Sequence, residues 1–503
     1  MDSLNISNLV AHHARYRPQA RALTFGELTL DWRELDRRTS RLAHALMAAG
    51  VGPGDRVVTV LANCLEMIEI YWACARMGAV AVPLSPLLME TGLRTLLADA
   101  APSAIFHSAA TAAVSAAASE GLACLRVCTG PDYLAFVDGH PDTPVTAQVG
   151  PDDLYNIMYT SGTTGLPKGI ALTHRIRAHY ATLMANAFRF TPASVALHTG
   201  AMVFNGAFIT LLPSLLVGSR FILHPQFDAA AFVDTVEREQ VTHTMLVPSQ
   251  LAAILDLPGF DARRLASLEV LLSLGAPLPQ AHKERLDAQL PLRLHELYGL
   301  TEGFVTILDR ADAVAKRGSV GVPPPFFALR IVDELGQPLP PGEQGEIAGQ
   351  GPLLMPGYYN KPELTALALR DGWLMTGDLG YVDEDGFLYL VDRKKDMIDS
   401  GGVKVYPHDI EEVIARHPQV AEAAVFGVPD DKWGETPVAA VLLRPGQACD
   451  AEVLRAWINE RVGARYQRVS QVLLVTEFPR SVAGKILKRS LREPFWAGRE
   501  RAI

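Results

Sequence analysis

Twelve residues, YTSGTTGLPKGI from Tyr159 to Ile170, hold the groups best able to meet a polyanion. Thr160, Ser161, Thr163 and Thr164 bring hydroxyls, Gly162 and Gly165 let backbone N–H groups converge, and Lys168 adds a mobile positive charge. Such a set suits phosphate. LYNIMYT before it reads as a buried strand and ALTHRIRAHYATLMANAF after it as a helix, so the expectation is strand, glycine-rich turn and helix, not a linker. Familiar phosphate loops do not fit. G-x-x-x-x-G-K-[ST] needs Gly before the lysine and Ser or Thr after it, whereas Pro167 and Gly169 flank Lys168, and no G-x-G-x-x-G opens a helix. HELYG at His295 lacks the second histidine of a zinc protease, and there is no G-x-S-x-G nucleophile elbow.

A chain of 503 residues is longer than one typical domain, and 49% apolar with 20% charged residues describes a globular protein with large cores. A net charge of −9 without charge blocks leaves no basic footprint for nucleic acid or an anionic membrane, so any anion must be met by a local site. The five cysteines form no CxxC pair and signal neither zinc nor a disulfide framework. The N-terminus lacks a secretory pattern, and the apolar stretch TGAMVFNGAFITLLPSLLVGSRFIL is interrupted by Asn205, Gly206, Pro213 and Ser214, so a buried helix is expected in place of a membrane span, and a cytoplasmic location.

The elements that must position the loop alternate. WRELDRRTSRLAHALMAAGV has helical spacing, while RVVTVLAN, RFILHP, THTMLVP and LEVLLSLG are strand-like, the pattern of parallel α/β layers. PGEQGEIAGQGPLLMPGYYNKPE is dense in turn residues between short antiparallel strands. Beyond the charged cluster at Arg393 to Lys395, helix, two strands and helix suffice for a small separate domain.

Read together, YTSGTTGLPKG, LYGLTE at Leu297 to Glu302, TGDLGYVDEDGFLYLVDRKKDMI from Thr376, GGVKVYPHDIEEVI from Gly401 and PRSVAGKILKR from Pro479 resemble the adenylate-forming superfamily, and most of all an acyl-CoA synthetase. The resemblance spans nearly the whole chain. It implies an α/β fold: a large N-terminal domain of layered α/β subdomains plus a small distorted barrel over residues 1–393, and a small mobile C-terminal α+β domain over 394–503. It also implies the reaction. A carboxylate attacks the α-phosphate of ATP to give acyl-AMP and pyrophosphate, and a thiol of CoA, or of a separate carrier protein, then displaces AMP. Thr160 to Gly165 and Lys168 would cradle the phosphates, Glu302 would hold Mg2+, and Thr301 would donate to the α-phosphate. Tyr298 and Gly299 on one side, with Gly275 and Ala276 on the other, would enclose adenine. Asp378 and Arg393 would hold the ribose, and Lys485 would bridge the substrate carboxylate and the α-phosphate. Taken singly, Asp378 in its Gly-bounded turn reads as an N-cap or turn former, and Lys488 as a solvated lysine. Lys395 matches the family's hinge, and Gly401 and Gly402 either admit a pantetheine arm or make a simple turn.

The acyl cavity is expected at Val203, Phe204, Asn205, Gly206 and Leu274. Gly200 and Val203 replace the Pro and His of many relatives, Leu274 narrows the cavity, and neutral Asn205 leaves an α-ammonium unpaired. With no cation in Met202 to Ile209, Ser273 to Ala276 or Gly303 to Thr306, the expected substrate is an apolar monocarboxylic acid, a short or medium fatty acid or an aromatic acid. The protein is expected to act as a monomer or homodimer.

Overall fold

Arg56–Val60, Val80–Leu84 and Ala104–His107 are nearly continuous apolar runs, which must be covered on both faces and therefore favour a parallel sheet flanked by helices. In the computed structural model, which describes residues 4–145, 147–160, 168–393, 396–401, 403–480 and 486–497, these strands pair in parallel within a six-stranded sheet. Its far edge carries Leu154–Thr160 and Lys168–Thr173. Here the expected strand–turn–helix is corrected. Lys168–Thr173 is a strand antiparallel to Leu154–Thr160, with Thr160 opposite Lys168, so the hydroxyl-rich segment joins two strands of a hairpin. The helix His174–Ala187 starts only where Thr173 turns extended and its Oγ1 accepts from the Ile176 N–H.

A second sheet of eight strands has a parallel centre and antiparallel edges. His243–Leu246, Val270–Leu274 and Leu294–Gly299 run side by side in it, so their carboxyl ends open at one place. One continuous core joins this sheet to the first, with Trp32, Trp72, Tyr155 and Phe208 inside it. The long apolar stretch forms the buried helix Phe208–Val217, ended by Gly218 in the left-handed region. No described helix is long and apolar enough to cross a membrane.

The Gly- and Pro-dense part makes the distorted barrel: antiparallel Ala328–Val332, Gly345–Gln350, Trp373–Val382 and Leu388–Arg393 around Phe304, Ile347 and Leu388. Strands change sheets between Arg393 and Ile398. Ile398–Ser400, Val420–Asp430, Gly434–Leu443 and Gln471–Val475 then build a small α+β unit with helices Pro407–Ala415 and Ala451–Asn459. It touches the rest at several points: Arg444 Nη1 lies 3.0 Å from Asp256, Lys404 Nζ lies 3.5 Å from Glu334, and the His408 N–H donates to Asp392 Oδ2 at 3.0 Å.

Candidate functional site

The ligand face follows from topology, because open α/β sheets bind at the carboxyl ends of parallel strands. Leu274 pairs with Leu297, so Gly275, just past the end of its strand, comes beside Tyr298, which is still within the strand Leu294–Gly299. Gly275 and Ala276 are exposed and Tyr298 is half-buried. The Tyr298 hydroxyl donates to Asp378 Oδ2 at 2.8 Å. Asp378 is paired in register with Arg393, whose Nε lies 3.4 Å from its Oδ1. Burial, then the Asp378 charge, pushes the Tyr298 phenol well above its usual range, so it remains a donor. Three residues 95 positions apart at the extremes thus form one polar wall, Arg393 minus Tyr298 in sequence number. A carboxylate has about four acceptor sites, so Asp378 keeps capacity for further donors.

Glu302 is held from the other side. Gly303 adopts φ +113 and a Cβ there would fall 1.9 Å from the Leu353 carbonyl, so only glycine lets the segments meet this closely. The Met355 N–H donates to the Glu302 carbonyl at 2.8 Å, and the Tyr358 hydroxyl donates to Glu302 Oε1 at 2.9 Å. Backbone bonds from Tyr359 to Gly169 and from Ala171 to Gly357 lay this segment on the hairpin strand. They place the Lys168 ammonium 5.1 Å from the centre of the Tyr358 ring. Thr301 stands half-buried beside Glu302. Tyr358 was missed in the sequence: its only signal is GYYN within a stretch that reads as turns.

The residues expected to line the acyl cavity meet as well. A Cβ on Gly206 would stand 3.2 Å from Met245 Cε and 3.6 Å from Leu274 Cδ1, so Gly206 faces Leu274. Val203 is buried, whereas Phe204, Asn205, Gly206 and Leu274 are partly open. Asn63 and Tyr71 pin the approach: Asn63 Oδ1 accepts from the Met202 N–H at 2.8 Å, and the Tyr71 hydroxyl donates to the Met202 carbonyl at 2.9 Å. A second residue missed in the sequence lies behind. Arg177 donates from Nη1 to Asn205 Oδ1 at 2.7 Å and from Nε to Asn156 Oδ1 at 3.1 Å. The expectation of a cation-free cavity considered only the lining segments, and Arg177 comes from the helix behind them.

Ser161, Gly162, Thr163, Thr164, Gly165, Lys395, Gly402 and Lys485 lie outside the described residues. Gly401 has φ +65, and its N–H donates to the Trp433 carbonyl at 2.6 Å. Lys488 corrects its expectation as a solvated lysine. It is 2.7 Å from Glu411, because the helix Lys488–Arg492 packs on the small unit's strand Val420–Asp430. Burial pulls its ammonium down, yet the Glu411 and Asp392 carboxylates outweigh this and hold it above the usual lysine range. Among the described residues no group of three or more His, Cys, Asp or Glu could hold a metal.

Layered α/β sheets, a barrel and a small α+β unit around this wall define an adenylate-forming enzyme. Residues 10–359 match the AMP-binding enzyme model and 409–485 the AMP-binding enzyme C-terminal domain, and the chain belongs to this family. It is 40% identical over 504 residues to a feruloyl-CoA synthase of Amycolatopsis sp, covering 98% of this chain and 100% of that one. An indoleacetate–CoA ligase of Aromatoleum aromaticum is 35% identical, with 97% and 98% covered. Among solved structures, ATP-bound MatB of Rhodopseudomonas palustris superposes with a TM-score of 0.91 at 30% identity, over 98% of this chain and 99% of that one.

Proposed function

We propose that this protein is an AMP-forming acid–CoA ligase acting on an aromatic monocarboxylic acid. The observation that carries the reading is the convergence of Tyr298, Asp378 and Arg393 beside Glu302 at the mouth of the parallel strands. ATP would enter with adenine between Tyr298 and the Gly275–Ala276 edge. Asp378 would accept the ribose hydroxyls and Arg393 would hold that carboxylate in place. Lys168, with the hydroxyl-rich segment after Thr160, would take the phosphate tail and then the leaving pyrophosphate. Glu302 offers the hard oxygen that Mg2+ prefers, and the ion would supply charge neutralisation between phosphate oxygens.

The acid's carboxylate and the α-phosphate repel one another, so adenylation needs positive charge and oriented donors where negative charge develops. Thr301 would donate to the α-phosphate, and Lys485 would bridge it and the attacking carboxylate. Rotation of the small unit at Lys395 would then bring Gly401 and Gly402 to the site for attack by the CoA thiol. The relatives named for ferulate and indoleacetate support an aromatic acid, which suits a cavity narrowed by Leu274. The test is pyrophosphate release from ATP and Mg2+ across a panel of carboxylic acids, with and without CoA. Acid-dependent release with a CoA thioester product is expected. Release with no transfer to CoA would assign the acyl group to a carrier-protein thiol, and no release with any acid would overturn the reading.

A further inference from the structure

Arg177 is 1% exposed and no described carboxylate forms an ion pair with it. Its guanidinium lies 4.2 Å from the Phe208 ring centre and 5.5 Å from that of Tyr180, and Nη2 has no partner among the described residues. Burying a charge without a counter-ion is costly, and a leucine would fill this volume at no such cost. Function is therefore the better account of the residue. Its polar contacts are with amides, Asn156 behind and Asn205 in front.

A guanidinium can only donate. The oxygen of the Asn205 amide must therefore face Arg177, which fixes an orientation that electron count alone leaves ambiguous. The amide nitrogen is left on the opposite, open side. It has no partner among the described residues, and Asn205 is partly exposed together with Phe204 and Gly206 while Arg177, Asn156, Ala207 and Phe208 behind it are buried. Gly206, the next residue, lies against Leu274, since a Cβ on it would stand 3.6 Å from Leu274 Cδ1.

We propose that Arg177 is a positioning residue that locks Asn205 with its amide nitrogen toward the acyl cavity, so that the site selects acids bearing a neutral oxygen acceptor on the end remote from the reacting carboxylate. This rests on the ligase reading and narrows the expectation of an apolar monocarboxylic acid. An unsubstituted acid would strip water from that N–H and leave it unpaired, whereas a methoxy or hydroxyl oxygen would accept from it. A second carboxylate suits the site less well, because Asn205 and Phe208 seal the charge from direct contact.

The discriminating measurement is kcat/KM for cinnamate, 3-methoxycinnamate and 4-methoxycinnamate, read as pyrophosphate release and as CoA thioester, since a methoxy oxygen only accepts. The intact enzyme should favour one methoxy acid by about tenfold or more. Arg177→Leu, which frees the amide to turn, should bring that ratio to about one to three with the KM for ATP unchanged, and Arg177→Lys should restore most of it. Asn205→Asp, which keeps an acceptor for Arg177 and removes the donor, should abolish the preference and carries the test if Arg177→Leu does not fold. A ratio unchanged in Arg177→Leu, or no methoxy preference in the intact enzyme despite turnover of these acids, would overturn the proposal and leave the ligase reading standing. No pyrophosphate release with any acid would overturn both.

Discussion

The side proposed for the nucleotide and the side proposed for the acyl group treat charge in opposite ways. On the proposed nucleotide side Asp378 meets both Arg393 and Tyr298, and Glu302 meets Tyr358; both carboxylates are half-buried, so each is oriented by a donor and still partly open. On the acyl side a guanidinium is sealed in the core with two neutral amides for company. Paired charges at a rim bind a polyanion reversibly in a wet site. A lone charge behind an amide dictates orientation, because its only chemistry is donation.

The comparison can be broken at several points. The largest effect is expected from Lys485→Ala, which should lower acyl-AMP formation by about 10²–10³-fold while largely sparing thioester formation from supplied acyl-AMP. Equal loss in both half-reactions would remove Lys485 from adenylation. Acid should next attack the scaffold behind the acyl side. Burial pushes His174 and His198 down to about 4, so each stays neutral in the fold. Between pH 6.5 and 4 the unfolded chain therefore binds protons that the folded chain does not. Stability is full above pH 6.5 and falls as the pH drops to about 4, by about 1–3 kcal/mol per histidine. Thermal melting across that window checks this, and a flat melting temperature would contradict it.

Asp378→Ala should cost about 1.5–3 kcal/mol in kcat/KM for ATP, from lost charge-assisted hydrogen bonds, with little change in the preference among acids. Leu274→Ala should do the reverse, moving preference toward bulkier acids by about 1–3 kcal/mol while the KM for ATP holds. A variant that moved both equally would show that the two sides are not separable. Tyr358→Phe should have the smallest effect, about 0.5–1.5 kcal/mol, seen as a raised Mg2+ requirement as Glu302 loses its donor. Titrating Mg2+ at saturating ATP reads it.

Local signals were good at strands and helices whose periodicity is their own. The runs at Arg56–Val60, His243–Leu246 and Val270–Leu274 are strands because continuous apolar residues have no other home. They were poor at the hairpin, where Ala171 to Thr173 reads as a helix start but belongs to the strand Lys168–Thr173 that pairs with Leu154–Thr160, since pairing is a property of two segments. Lys488 likewise reads as a solvated lysine until Glu411 arrives from 77 positions earlier in the sequence, Lys488 minus Glu411.

By itself the sequence determined the fold class, the order of the motifs and the identities of Tyr298, Glu302, Asp378 and Arg393, because each lies in a short segment whose residue types constrain its chemistry. Tertiary structure alone decided that Tyr358 would hold Glu302, and that Arg177 would stand behind Asn205. Both contacts join residues whose own neighbourhoods suggest only a turn and a helix surface. Their meaning comes from burial and from the direction of a hydrogen bond, and those exist only once distant strands and helices have packed.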